Sequence, residues 1–243
     1  MSVFATLVEH LADLLQPLFH ASAAAAAIVL FTALVRLLVL PLSRAAARGQ
    51  RARAALQPKI AELRKKHKKH PERLQKAVLE LHAEEKVSPL SGLLPSLLQL
   101  PAFFLLYHLF SSREVGGESN GLLTHELFAA PLGGRWADAL GDGGVFGAAG
   151  LVYLGLFAVV AAVASFNYVR TKRMAAAGGS TPVPATDEQV PGLAAVGKVM
   201  PFLSYATLLT VALVPLAAAL YVVTSTTWSA VERAVLYRPA AAS

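Results

Sequence analysis

The chain has 243 residues, 55% of them hydrophobic and only 15% charged, with a mean hydropathy of +0.53. Ordinary soluble domains are about 25% charged, and here the apolar residues fall in long runs, which excludes that class. There is no cysteine, so disulfides, thiolate metal sites and cysteine nucleophiles are excluded too. The net charge of +7 is concentrated, with 13 Lys/Arg against 5 Asp/Glu in residues 44–86 and 2 against 5 in residues 112–144. A basic block between apolar runs is a membrane topology signal before it is a nucleic-acid footprint.

Residues 1–20 read as an amphipathic helix. Leu7, Leu11, Leu14, Leu15 and Leu18 recur at helical spacing, with Glu9, His10 and Asp13 between them. The first 22 residues hold no Lys or Arg, so a cleaved signal is not expected. The segment is expected to lie on the outer membrane surface. Residues 21–43 are the first expected span. At 1.5 Å per residue the run 21–42 reaches roughly 33 Å, against about 30 Å of hydrocarbon. The basic block that follows puts residue 44 onward in the cytoplasm and the N-terminus outside.

Residues 44–87 are polar and helix-prone. Leu56, Ile60 and Leu63 form one apolar stripe, and Leu74, Val78 and Leu81 form another. His70-Pro71 lies between them and is expected to break the helix, giving a cytoplasmic helical hairpin. Residues 88–111, with Pro89, Pro95 and Pro101, are the second expected span. The Gly-rich, acidic residues 112–144 suit an extracellular loop. Residues 145–168 are the third span, followed by Arg170, Lys172 and Arg173. Residues 169–197 read as a cytoplasmic loop by composition. Pro215 marks a tight outer turn between a fourth span at 198–212 and a fifth at 213–233, and residues 234–243 form a cytoplasmic tail. The expectation is an all-α polytopic protein of five transmembrane helices, with its N-terminus outside and its C-terminus inside.

Arg36 is the sharpest polar feature. It lies six residues before Leu42, roughly 9 Å inside the cytoplasmic end of the first span. An arginine at bilayer depth costs at least ~2.5–3.5 kcal/mol, so such residues usually face protein or a water-filled cavity. Position alone leaves a second reading open, in which the side chain snorkels to the interface. No acidic residue lies inside the expected spans; the nearest, Glu232, is at the cytoplasmic end of the last. Gln99 is the other strong polar group, and either a helix–helix hydrogen bond or a ligand contact would explain it. Thr32, Ser96, Ser204, Thr224 and Thr227 are weaker, because Ser and Thr can bond to their own helix. His67 and His70 have the spacing of a metal pair but sit among lysines with no carboxylate or cysteine beside them, so they read as solvated side chains. Nucleophile–base pairs, P-loops and dinucleotide fingerprints are missing, which argues against an enzyme.

These residues sit in a longer pattern. The stretches are TALVRLLVLPL (32–42), LQPKIAELRKKHKKHPERLQKAVLELHAEEKVSPLSGLLPSLLQLPAFFLLYHLF (56–110) and MPFLSYATLLTVALVPLAAALYVVTSTTWSAVERAVL (200–236). Together they resemble the YidC family of membrane protein insertases, which includes the mitochondrial Oxa and chloroplast Alb proteins. The second is the most specific: a QPK-type helix start, a charged hairpin, then PxxGxLPxLxQxPxFxxLY. The resemblance implies five helices around a hydrophilic groove that opens to the cytoplasm and to lipid. It places Arg36 in that groove through R-x-x-x-x-P-L, and Gln99 in its LxQxP position. With Thr32, Ser96 and Thr224 these are the expected groove residues. The hairpin is implied to receive substrates, with Lys59, Arg64, Lys65 and Lys66 as its basic face. Departures are Ala218-Ala219 and Tyr221-Val222, where the family often has Gly and a Tyr-Trp pair, and Glu232-Arg233 near the last helix end. The large outer domain, the lipoprotein cysteine and the long basic tail of some members have no counterpart. A compact form from a single-membrane bacterium is therefore expected, without tail-mediated ribosome docking.

The expected function is insertion and folding of nascent membrane proteins at the bacterial plasma membrane, with no cofactor, metal or small-molecule substrate. The lipid bilayer, the ribosome and the Sec translocon are the other expected partners. Two alternatives stand beside it. A small transporter or channel would use Arg36 as an anion site but leaves the hairpin without a purpose. A scaffold or chaperone would fold proteins that are already inserted.

Overall fold

A computed structural model describes residues 2–68, 70–88, 97, 100–176 and 205–236. Most of the described residues are helical, and two helical runs among them, Val3–Leu38 and Ala148–Arg173, are long and apolar enough to cross a membrane. Contact density divides the chain into two compact units, one holding Met1–Leu38, Pro101–Tyr168 and Phe202–Glu232. The other holds Val39–Leu100, Val169–Pro201 and Arg233–Ser243.

The first unit opens with helix α1 (Ser2–Phe19), a 3-10 turn at His20–Ser22 and helix α2 (Ala23–Leu38). A continuous run of 36 residues would be roughly 54 Å long, too long for one crossing. It is divided at His20, whose φ of 47° no helix tolerates. The α1 segment expected to lie flat on a surface has a protein face as well. Val8 and Ala12 are buried, and Phe4 meets Phe31 of α2 edge-on at 6.5 Å. Helix α2 ends at Leu38, short of the 42 expected. The cause is Pro41 in the first turn of α3, which has no N–H for the carbonyl four residues back and whose ring crowds that carbonyl. Val39, at φ −86° and ψ 0°, separates α2 from helix α3 (Leu40–Lys66).

Helix α5 (Leu100–Ser111) leads into residues 112–147, where the structure departs from the loop expected. Two antiparallel ribbons form there. Strands β1 (Glu114–Val115) and β2 (Glu118–Ser119) pair with Glu114 opposite Ser119, and β3 (Glu126–Leu127) and β4 (Ala130–Pro131) with Leu127 opposite Ala130. Gly116 and Gly117 turn the first ribbon with φ of 69° and 89°. Two positive φ values suit the two-residue turns that match strand twist. Helix α6 (Trp136–Gly141) follows; Asp138 caps it by accepting the Arg135 N–H at 2.8 Å.

Asn120 ties this segment to α5. Its Nδ2 donates to the carbonyls of Leu109 at 2.8 Å and Ser112 at 3.0 Å, and its Oδ1 accepts from Leu122 N–H at 3.3 Å. Helix ends leave carbonyls without intrahelical partners, and Asn120 supplies the missing donors. Helix α7 (Ala148–Ala176) then carries Tyr153, which donates to Gly134 O at 2.7 Å and packs on Trp136 at 5.6 Å.

Helices α8 (Ala206–Leu213) and α9 (Leu216–Leu236) are separated by Val214-Pro215. The first amides of α9 are orphan donors, as at any helix start. Here Leu216 N–H donates to Gly134 O at 2.9 Å and Ala217 N–H to Leu132 O at 2.8 Å. The 132–134 loop therefore closes that helix end. Gly133 lets the same loop lie close on the 121–124 turn: a Cβ there would stand 3.0 Å from Leu123 O. Leu216, Ala217, Ala218 and Ala219 are wholly buried beside Ile28, Leu109, Phe110 and Leu132 in one core cluster.

In the second unit, α3 and α4 (Pro71–Glu84) pack on each other. Leu56 and Ile60 are buried on α3, and Leu74, Val78 and Leu81 are half-buried on α4. Pro71 opens α4, where its missing N–H costs nothing. Lys59 and Glu85 form an ion pair beside the stripes.

Candidate functional site

The site is built on α2 and α9. Thr32 and Arg36 are four residues apart, so they share one face of α2. On α9 the same rule aligns Tyr221, Ser225 and Ser229. Arg36 donates from Nη2 to Ser225 Oγ, which joins the two faces. Ser225 is only 2% exposed, while Arg36 is half-buried. A hydroxyl is a neutral acceptor, so this bond orients the guanidinium without cancelling its charge.

The neighbouring groups hold that arrangement. Ser225 O accepts from Ser229 Oγ at 2.9 Å. Thr226 Oγ1 turns back to the carbonyls of Val222 at 2.8 Å and Val223 at 3.1 Å. Tyr221, one turn before Ser225, is buried and donates to Phe103 O of α5 at 3.4 Å. Its ring meets Phe103 at 5.7 Å and Phe110 at 5.8 Å. Thr32 is wholly buried and donates to Ile28 O at 2.7 Å, so its hydroxyl is used on its own helix. What results is a long cation held at a fixed place by a buried hydroxyl, on a wall of small and aromatic side chains. Chemically it can attract and release an anionic group.

The basic face lies on the second unit's hairpin. Lys59, Lys65 and Lys66 are exposed and Arg64 half-exposed, the last three in the final turn of α3. Cations there are also favoured by the helix dipole. The hydrogen bond that Lys59 Nζ donates to Glu85 Oε1, and that carboxylate's charge, raise the Lys59 pKa above its ordinary value. Arg51 donates to Leu236 O within the same unit.

Of the groove residues expected from the sequence, Arg36 is the one that reaches across to another helix, and Thr32 sits one turn away. Thr224 is half-exposed, and Ser225, the next residue, is the one that meets Arg36. Gln99 and Ser96 lie outside the described residues. Sequence reasoning missed Ser225 and Asn120. The signal for Ser225 was its four-residue spacing from Tyr221, a polar partner to an aromatic on one helix face.

Residues 15–242 match the family model described as 60Kd inner membrane protein. Among curated relatives, a membrane protein insertase YidC of Clostridium perfringens is 45% identical over 84 residues, 35% of this chain and 35% of the relative. One from Polynucleobacter asymbioticus is 37% identical over 101 residues, 41% of this chain and 18% of the relative. Another from Magnetococcus marinus is 43% identical over 90 residues, 37% of this chain and 16% of the relative. The matched stretch thus spans about a third of the first and under a fifth of the other two.

Proposed function

The chain belongs to the 60Kd inner membrane protein family, that of the YidC/Oxa insertases, and on that premise we propose that it inserts nascent membrane proteins into the bacterial inner membrane. Insertion makes and breaks no covalent bond, so the protein acts as a path and not as a reagent. The observation that carries the reading is the Arg36–Ser225 hydrogen bond, which holds a cation between two apolar helices. The proposed architecture is five spans around a hydrophilic groove, with the N-terminus outside and the α3–α4 hairpin in the cytoplasm.

The basic turn of the hairpin meets the emerging chain, which is acidic where it must cross. The ribosome and the Sec translocon are the proposed partners in delivering that chain. A short polar segment of the substrate enters the groove, where its carboxylates are drawn to Arg36. A charge acts more strongly in a cavity of low dielectric than in water, so one guanidinium is enough to hold the segment briefly. The substrate's apolar helix then leaves into lipid, driven by about 25 cal/mol per Å² of apolar surface removed from water. Because release must follow, the anchor has to be a transient one.

The test is reconstitution in liposomes with a single-span substrate bearing an acidic outer tail. Arg36→Ala should abolish most insertion and Arg36→Lys should retain much of it. Full insertion by Arg36→Ala would overturn the mechanism.

A further inference from the structure

The two most exposed phenylalanines among the described residues both lie in the first unit, outside its core. Phe128 is 76% exposed and Phe146 is 84% exposed. Phe128 sits at the tip of the β3–β4 ribbon with φ of 54°. A turn of this kind normally places Gly, Asn or Asp there, and a bulky residue at positive φ is a strained exception. The fold holds the tip in place: Phe128 N–H donates to Ser22 Oγ at 3.2 Å. Ser22 is the residue just before the apolar helix α2 begins at Ala23. Phe19, 49% exposed, lies three residues before it. Phe146 stands in the same relation to another apolar helix, two residues before α7 begins at Ala148.

We propose that Phe128 and Phe146 form an outer aromatic collar, which dips into the outer-leaflet interface of the bilayer and sets the depth of the α2 and α7 helix starts. The occupant is lipid and not protein because each phenylalanine lies beside the start of a helix whose own exposed face is apolar. Val29, Leu30 and Leu34 are exposed on α2, and Leu151 and Val159 on α7. Side chains at such a boundary have hydrocarbon below them and headgroups above. Trp and Tyr gather at this level in membrane proteins, Phe buries its ring at the same headgroup–acyl boundary on interfacial helices, and an exposed apolar group has a use there that it lacks in water. The strain at Phe128 then has a cause: Gly or Asn would relax the turn but put nothing into the lipid. The inference rests on the reading that α2 and α7 cross a bilayer.

The absence of cysteine makes the test direct, since any introduced thiol is unique. Phe128→Cys, Phe146→Cys, Val29→Cys and Asp142→Cys are labelled one at a time with an environment-sensitive fluorophore in liposomes of this protein alone. The probes are iodide in the water and nitroxide lipids carrying the spin label either near the headgroup or deep in the chain. Both Phe positions should give blue-shifted emission, shielding from iodide and quenching by the shallow nitroxide. Asp142 should be open to iodide, and Val29 should respond to the deep nitroxide. If positions 128 and 146 are open to iodide while Val29 responds to the deep label, the collar is wrong and the spanning reading stands. Shielding from both quenchers would mean a second copy of the chain covers the rings, and would also overturn the collar. Iodide access at Val29 would remove the spanning reading itself. All four side chains are exposed, so the substitutions leave the core intact.

Discussion

Replacing Asn120 with alanine should be one of the costlier single changes in the outer segment. Asn120 is 6% exposed and makes three hydrogen bonds, to Leu109 O, Ser112 O and Leu122 N–H. Each is worth about 1 kcal/mol net, and leaving a buried partner unsatisfied costs about 1–3 kcal/mol. Leu109 is wholly buried, so water cannot take over its carbonyl. The expected loss is therefore about 3 kcal/mol. A chain of this length changes Tm by roughly 2–4 °C per kcal/mol, which gives a fall of about 6–12 °C. The assay is thermal unfolding in one fixed detergent, followed by circular dichroism. Asn120→Asp should be at least as harmful, because it keeps the acceptor but sets a carboxylate against two carbonyls. Ser119→Ala, one residue away and exposed, should shift Tm by no more than about 2 °C, as a change of ±0.5 kcal/mol implies. If Asn120→Ala melts within that same margin, the side chain does not cap α5.

Three further outcomes follow from named contacts. Ser225→Ala should slow insertion of acidic-tailed substrates, Ser225→Thr should largely preserve it, and Arg36→Ala/Ser225→Ala should be no worse than Arg36→Ala alone, since one bond joins the pair; additive losses in the liposome assay would separate the two residues. Tyr153→Phe removes the bond to Gly134 O and should lower Tm by roughly 2–4 °C, the effect of about 1 kcal/mol, with an unchanged melt counting against the seal at the α9 start. Lys59 should titrate above its ordinary value of 10.5 by carbon NMR of its Cε, and Glu85→Gln should bring it down. Because this pKa is raised on folding, the contact's contribution is fully present below pH 10.5 and lost as pH rises through the higher value; a titration unmoved by Glu85→Gln would show the two groups apart in solution.

The readable part of the fold was local. Apolar runs and helical stripes such as Leu56, Ile60 and Leu63 follow from side-chain periodicity. The helix breaks beside Pro71 and Pro215 follow from a missing N–H and a fixed φ. The end of α2 was read four residues late because hydropathy runs on through Leu40, Pro41 and Leu42, and the break at Val39 is a backbone feature that hydropathy does not record. Residues 112–147 were the least legible. Glycine and acidic content reads as a loop, yet Gly116-Gly117 is a hairpin turn and Asn120 is a buried cap. Composition averages over positions where single residues decide.

For the site, the sequence by itself determined that a cation stands at position 36 among apolar residues, since charge and hydropathy belong to residues and need no partner. It also determined the helical phase of Tyr221, Ser225 and Ser229. Tertiary structure alone decided that Arg36 meets Ser225, 189 residues further on, and not Thr224 beside it. It also decided that the α9 amides are closed by Leu132 O and Gly134 O. Both depend on which faces two distant segments turn to each other. Packing chooses those faces, and a rotation of one helix by a single residue, about 100° for 3.6 residues per turn, would exchange one hydroxyl for the next.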